Sequence, residues 1–218
     1  MRIEHTDLSV PVYERIKQMI LNKELKPGEK LLQEKLAAQL GVSRTPLLKA
    51  LQMLEYDFLV ESIPRRGMFV KRLSIQEMID IYDVREGIES VAVRLVIERA
   101  SDEQIEILKK IWRNFSGQVK INSNLYQKAD DKFHALLLEY SGNKILAKTY
   151  SNSLLQARVV QMGIMRPPEE TLPEHNALME AICTKDFESA DKEIKNHLRK
   201  SKESIRDKFI KNEQNEKI

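Results

Sequence analysis

Two short apolar-striped segments flank one tight turn, Gly41-Val42-Ser43-Arg44-Thr45-Pro46, and this arrangement constrains the first third of the chain more than any other feature. Upstream, residues 33–40 read as a short helix that Gly41 stops, because glycine enters the left-handed conformation without a side-chain clash. Downstream, Ser43 offers an N-cap and Pro46 falls in the first turn, where its missing N–H is not needed. Leu47, Leu48, Leu51 and Leu54 carry that second helix to about Glu55. A helix over 10–22 precedes the pair, with Val12, Ile16, Met19 and Ile20 on one face, and Lys26-Pro27-Gly28 closes it. Two β-like runs follow, 59–63 and 68–71, joined by the turn Pro64-Arg65-Arg66-Gly67. Helices in this order with a terminal hairpin predict a winged helix-turn-helix.

Charge supports a polyanion as its partner. The 218-residue chain carries a net charge of only +3. Residues 1–73, however, hold 13 Lys/Arg against 9 Asp/Glu, and Ser62 to Arg72 contain four bases and no acid. The second helix of such a motif enters the DNA major groove with its N-terminal residues at base edges. Ser43, Arg44 and Thr45 stand there: Arg44 can pair with guanine through two hydrogen bonds, while Ser43 and Thr45 reach phosphates or bases. Lys49, one turn on, can meet the backbone, and Arg65, Arg66 and Gly67 form the wing tip. The alternative, a small domain that only packs against protein, is disfavoured by cations at both contact surfaces.

Beyond Arg72 the pattern becomes helical throughout. Ser74-Ile75-Gln76-Glu77, Ser101-Asp102-Glu103-Gln104 and Thr171-Leu172-Pro173-Glu174 each read as a capping box. They predict a helix or kinked pair over about 75–100, a helix over 102–119, and one opening after Thr171. Ser123 and Asp186 are expected caps of two others. A further helix runs from Asn143 to about Met165, stopped by Pro167-Pro168, and the last runs to about Ile210. The expected whole is mainly α: a winged helix-turn-helix domain over 1–73, an antiparallel bundle of about six helices over 74–211, and a polar tail over 212–218. No apolar run approaches the roughly 20 residues of a membrane span. The polar start is not a secretory leader, and one cysteine, Cys183, in an apolar helical stretch, suits a reducing cytoplasm as a small buried residue.

Three of the four histidines fall in the bundle on separate helices; His5 lies outside it. Asp130 and His134 are four residues apart and share a helix face. His175 aligns with Leu178 and Ile182, and His197 flanks Ile194 and Leu198, so both point inward. A single such histidine is most simply a core-edge side chain with a hydrogen-bonded neighbour. Three, with an i−4 carboxylate, suit a transition metal such as Zn²⁺, Ni²⁺, Fe²⁺ or Mn²⁺, and not Ca²⁺ or Mg²⁺.

The segment from Val12 to Val70 resembles the DNA-binding domain of the GntR family. The runs that carry the likeness are Lys26-Pro27-Gly28-Glu29-Lys30-Leu31, Leu36 to Pro46 (LAAQLGVSRTP) and Pro64-Arg65-Arg66-Gly67. The helical remainder resembles the FCD ligand-binding domain of the FadR subfamily, closest to its VanR-like branch. That resemblance implies a cytoplasmic, homodimeric transcription regulator, most often a repressor, whose binding to operator DNA is controlled by a small carboxylate effector. It implies a divalent metal, Zn or Ni favoured, on Asp130, His134, His175 and His197; Asp131 is adjacent, but only Asp130 fits the family's spacing. It further implies that Arg85 clamps the effector's carboxylate; a surface ion pair with Glu86 or Glu89 is an equal alternative for that arginine. One departure stands out: where the family continues Thr-Pro with Val-Arg-Glu, this chain has Leu47-Leu48-Lys49, so one arginine contact to a base should be missing. Two rivals share the same ligands: a metal-dependent hydrolase, with Glu174 its one candidate base, and a purely structural metal.

Overall fold

A computed structural model describes residues 8–152 and 166–215, the last eight of these by backbone alone. His5 and the expected helical stretch after Asn152 lie outside the described residues. The chain divides into two compact units, Met1–Arg72 and Leu73–Ile218.

In the first unit, helices α1 (Ser9–Leu21), α2 (Gln33–Leu40) and α3 (Arg44–Tyr56) precede strands β1 (Val60–Ile63) and β2 (Gly67–Val70). The helices bury one face each: Val12, Ile16, Met19 and Ile20 from α1, Leu36 and Ala37 from α2, and Leu47, Ala50, Leu51 and Leu54 from α3. Gly41 adopts φ +66° between α2 and α3, so it is the left-handed cap the turn needs. The strands pair antiparallel with Val60 opposite Val70 and Ile63 opposite Gly67. Gly67 itself has φ +101°, which lets the chain reverse in so short a loop. Residues 28–31 line the free side of β2: Leu31 donates its N–H to the Met68 carbonyl at 2.8 Å, and Gly28 donates to Val70 at 2.8 Å. The sheet edge is thereby covered.

The second unit is helical throughout its described residues: α4 (Ile75–Arg99), α5 (Asp102–Arg113), α6 (Ser123–Tyr140), α7 (Lys144–Asn152), α8 (Pro168–Cys183) and α9 (Phe187–Asn215). The mainly α class with a winged helix-turn-helix ahead of a helical bundle is therefore as expected. α4 is one unbroken helix, opened by a complete capping box between Ser74 and Glu77, and a second box between Ser101 and Gln104 opens α5. α9 runs antiparallel along α4, because Asp191, Arg199 and Lys202 meet Ser90, Glu86 and Asp83 in reverse order. Trp112, Phe133, Leu137, Leu178, Ile182, Ile194 and Leu198 fill the space between helices. Cys183 is half-buried at the margin of this core rather than fully enclosed.

Four local expectations are corrected. α5 ends at Arg113, not near 119, with turns in the residues that follow. Asn122, not Ser123, caps α6, its side chain accepting from the N–H groups of Asn124 and Leu125. α8 starts at Pro168, and Thr171 and Glu174 lie within it without forming a box. Pro168 at the first position has no N–H to leave unpaired, so the proline pair starts this helix. α9 continues to Asn215, past Ile210, since Lys, Gln and Glu are good helix formers. No helix among the described residues is long and apolar enough to cross a membrane.

Candidate metal centre and nucleic-acid surface

α6 carries Asp130 and His134 one turn apart, so their side chains project from one face. α8 brings His175 and α9 brings His197 to the same point. One ligand atom from each of the four residues lies within 4.8 Å of the others, and all three histidines are buried. His175 sits in the third turn of α8, not the first, because the helix opens seven residues ahead of it.

Each ring is anchored through Nδ1. His134 Nδ1 lies 2.6 Å from Glu89 Oε2, and His197 Nδ1 lies 2.9 Å from Glu174 Oε2. An ionised carboxylate only accepts, so in the neutral ring Nδ1 is the donor and Nε2 keeps its lone pair. His175 Nδ1 lies 3.0 Å from the Tyr126 hydroxyl, itself hydrogen-bonded to the Thr171 hydroxyl at 2.8 Å. The Trp112 indole stacks on the His175 ring at 3.9 Å, nearly parallel.

The inward atoms are the informative ones. His134 Nε2 and His175 Nε2 are buried without a hydrogen-bond partner. They stand 3.8 and 3.2 Å from Asp130 Oδ1, the second without the alignment of a hydrogen bond. With His134 Nδ1 committed to Glu89, its Nε2 lone pair faces a carboxylate, an arrangement that is costly to bury. Burial lowers the His175 pKa to about 3, aided by the facing His197 ring and opposed by Asp130. Burial also lowers that of His197, against the pull of Glu174. Burial alone would raise the Asp130 carboxyl; the surrounding histidines outweigh it and hold it well below the usual range. Three imidazoles and one carboxylate form a donor set that fits a divalent transition metal.

Arg85 is not at the surface. It is 2% exposed, its Nε donates to Glu89 Oε1 at 2.6 Å, and Glu86 instead pairs with Arg199. Glu89 is fully enclosed, shared between Arg85 and His134; burial would raise its pKa, but these partners bring it to about 2. Arg85 Nη2 remains buried without a partner. Glu174 accepts from both terminal nitrogens of Arg166, from His197 and from Lys200. Despite its burial these donors hold it far below the usual carboxylate range, which makes it a poor general base. Tyr126, Thr171 and Trp112 were not readable as site residues, and Glu174 was legible only as a helix cap and a candidate base, not as the anchor of His197. Their partners are 23 to 63 positions away and no local spacing marks them. Glu89 carried a signal as the i+4 partner of Arg85, but its tie to His134 is tertiary.

In the first unit, Ser43 takes the N-cap position of α3 in extended conformation without a side-chain cap, so its hydroxyl is not committed to the helix. Arg44, Thr45 and Lys49 are exposed, and Arg44 is ion-paired with Glu34. Both partners are largely in water, where such pairs are weak and exchange readily. Arg65, Arg66 and Gly67 are exposed at the hairpin turn, and the Arg66 guanidinium lies 5.5 Å from the centre of the Phe69 ring.

A winged helix-turn-helix joined to a helical ligand-binding domain defines a class, the DNA-binding transcriptional regulators with a ligand-binding half. Residues 8–70 match the model of bacterial regulatory proteins of the gntR family, and residues 80–200 match the FCD domain. The chain belongs to the GntR family, as an FCD-domain member. It is 30% identical over 190 residues to the HTH-type transcriptional regulator YdhC of Bacillus subtilis (strain 168), covering 85% of each chain. Among solved structures, E. coli McbR/YncC shares the fold with a TM-score of 0.72 at 21% identity, over 93% of this chain and 98% of that one. A Zn²⁺-bound FCD domain of another regulator matches with a TM-score of 0.53 at 19% identity, over 64% of this chain and 99% of that one.

Proposed function

We propose that this regulator is a homodimeric repressor of the FadR subfamily, on its VanR-like branch, whose hold on operator DNA is set by a small carboxylate metabolite at a divalent metal. Asp130, His134, His175 and His197 hold the metal, Zn²⁺ or Ni²⁺ in preference to Mn²⁺ or Fe²⁺. The observation that carries this reading is the convergence of buried, unpartnered imidazole nitrogens on Asp130. The zinc in the related FCD domain is consistent with it. When bound, the metal supplies a Lewis-acidic centre to which an effector carboxylate can coordinate. Arg85, with one guanidinium nitrogen unpartnered, supports a second contact to that carboxylate. Ser43, Arg44, Thr45 and Lys49 on α3, with Arg65, Arg66 and Gly67 at the wing, contact the operator, and residues 74–211 bind metal and effector and dimerise. The effector acts only by binding DNA-competent and incompetent dimers with different affinity.

Metal analysis of protein purified without a histidine tag tests this. About one transition metal per chain is expected, abolished by His134→Ala; a chain that refuses added Zn²⁺ and Ni²⁺ overturns it. The complete burial of the ligand rings also favours a second reading, a metal that only stabilises the bundle. Chelation distinguishes them: a lower melting temperature with unchanged operator affinity and effector response assigns the structural role.

A further inference from the structure

The face of α3 opposite the core holds a leucine that the recognition-helix reading leaves unused. Leu47, Ala50, Leu51 and Leu54 are all completely buried, so the core needs nothing more from this helix. On the other side Arg44, Leu48 and Gln52 repeat at intervals of four, flanked by Thr45 and Lys49, and all five are exposed. Leu48 is 42% exposed, a large aliphatic side chain left in water in the middle of a polar stripe. Such exposure forgoes the stabilisation that burying the side chain would give. In a DNA groove leucine neither donates nor accepts a hydrogen bond. Only one group at the base edges of the major groove is apolar, the C5-methyl of thymine.

We infer that Leu48 is a specificity-determining residue that reads a thymine by packing on its methyl group, beside the base read by Arg44. One helical turn separates the two side chains along α3, a rise of about 5.4 Å. Base pairs are spaced about 3.4 Å apart, so the thymine lies within roughly two base pairs of the base opposite Arg44. Leu48 then selects an A·T pair and disfavours G·C there, since a guanine or cytosine edge buried against leucine loses its hydrogen bonds. The inference rests on α3 being the recognition helix, and its test keeps the two apart.

Full-length protein is used to select its site from a random duplex pool, and each thymine of the selected site is then replaced by deoxyuridine, which removes the methyl alone. One thymine per half-site should respond with about a fourfold loss of affinity, the worth of one buried methyl group. Leu48→Ala, exposed and therefore expected to fold normally, should bind thymine and uracil operators equally, and Leu48→Arg should move the preference at that pair to G·C. Equal binding of both operators by the unaltered protein overturns the inference, as does a selected site with no thymine in that window. So does thymine discrimination that survives in Leu48→Ala. If Arg44→Ala loses sequence preference in any of these cases, the recognition helix stands and only Leu48 falls. If Arg44→Ala selects the same site as the unaltered protein, both fall.

Discussion

At the scale of single residues the site has a built-in reporter. Trp112 is the only tryptophan in the chain and lies face to face with the His175 ring. Its emission should therefore respond to occupancy: Ni²⁺ is expected to quench it in a saturable one-to-one titration, whereas Trp112→Phe should bind the metal silently. Tyr126→Phe removes the hydroxyl against His175 Nδ1 and should weaken metal affinity about 10-fold, at the low end for a residue that orients a metal-binding histidine; competition with a chromophoric chelator measures it. Arg44→Ala should lose sequence-specific DNA binding while metal content and melting temperature stay unchanged, as read by gel shift, metal analysis and calorimetry. The pairing of Asp130 with His134 was legible because helical periodicity puts positions four apart on one face. The partners of the Nδ1 atoms were not, since a glutamate on α4 and a tyrosine early on α6 look like ordinary helix residues until the helices pack.

Among the elements, α4 carries the most consequence. Arg85 and Glu89 lie one turn apart on it, and Glu89 reaches across to His134 on α6. Glu89→Ala strands a buried guanidinium and should destabilise the bundle by about 3–5 kcal/mol, visible in the urea midpoint, with metal affinity falling as His134 loses its anchor. Ser74→Ala at the same helix's start removes only a cap, worth about 1 kcal/mol, and should leave metal binding untouched. These two outcomes separate general helix stability from the site's own support. α8 shows where local pattern misleads. Thr171-Leu172-Pro173-Glu174 has the spacing of a capping box, but the helix has already begun at Pro168. Thr171 then spends its hydroxyl on Tyr126, and Glu174 faces Arg166, Lys200 and His197. A capping signature competes with tertiary partners for the same side-chain oxygens, and here the partners win.

For the molecule as a whole the two compact units have different tasks and should answer to different variables. Operator affinity should fall steeply with salt, the logarithm dropping by roughly 0.9 per phosphate contacted for each tenfold rise. Neutralising Arg65 and Arg66 together should lower that slope by about two if both meet phosphates; binding isotherms across a salt series measure it. Removing metal by chelation should leave this slope unchanged while altering the effector's influence on affinity. A wild-type slope in the double variant would remove the wing from the interface.

The sequence alone determined the winged head, since turn residues, caps and apolar periodicity are local properties that a chain states within about ten positions. It also pointed to the metal-ligand candidates, the three histidines by residue type and helical phase, and Asp130 over Asp131 only through the family resemblance. Tertiary structure decided the rest. Only packing made Arg85 a buried partner of Glu89 instead of a surface cation, turned Glu174 from a helix cap into the anchor of His197, and left Leu48 exposed once its neighbours had filled the core. Burial and long-range hydrogen bonding depend on which helices meet, and that is settled by the whole core at once.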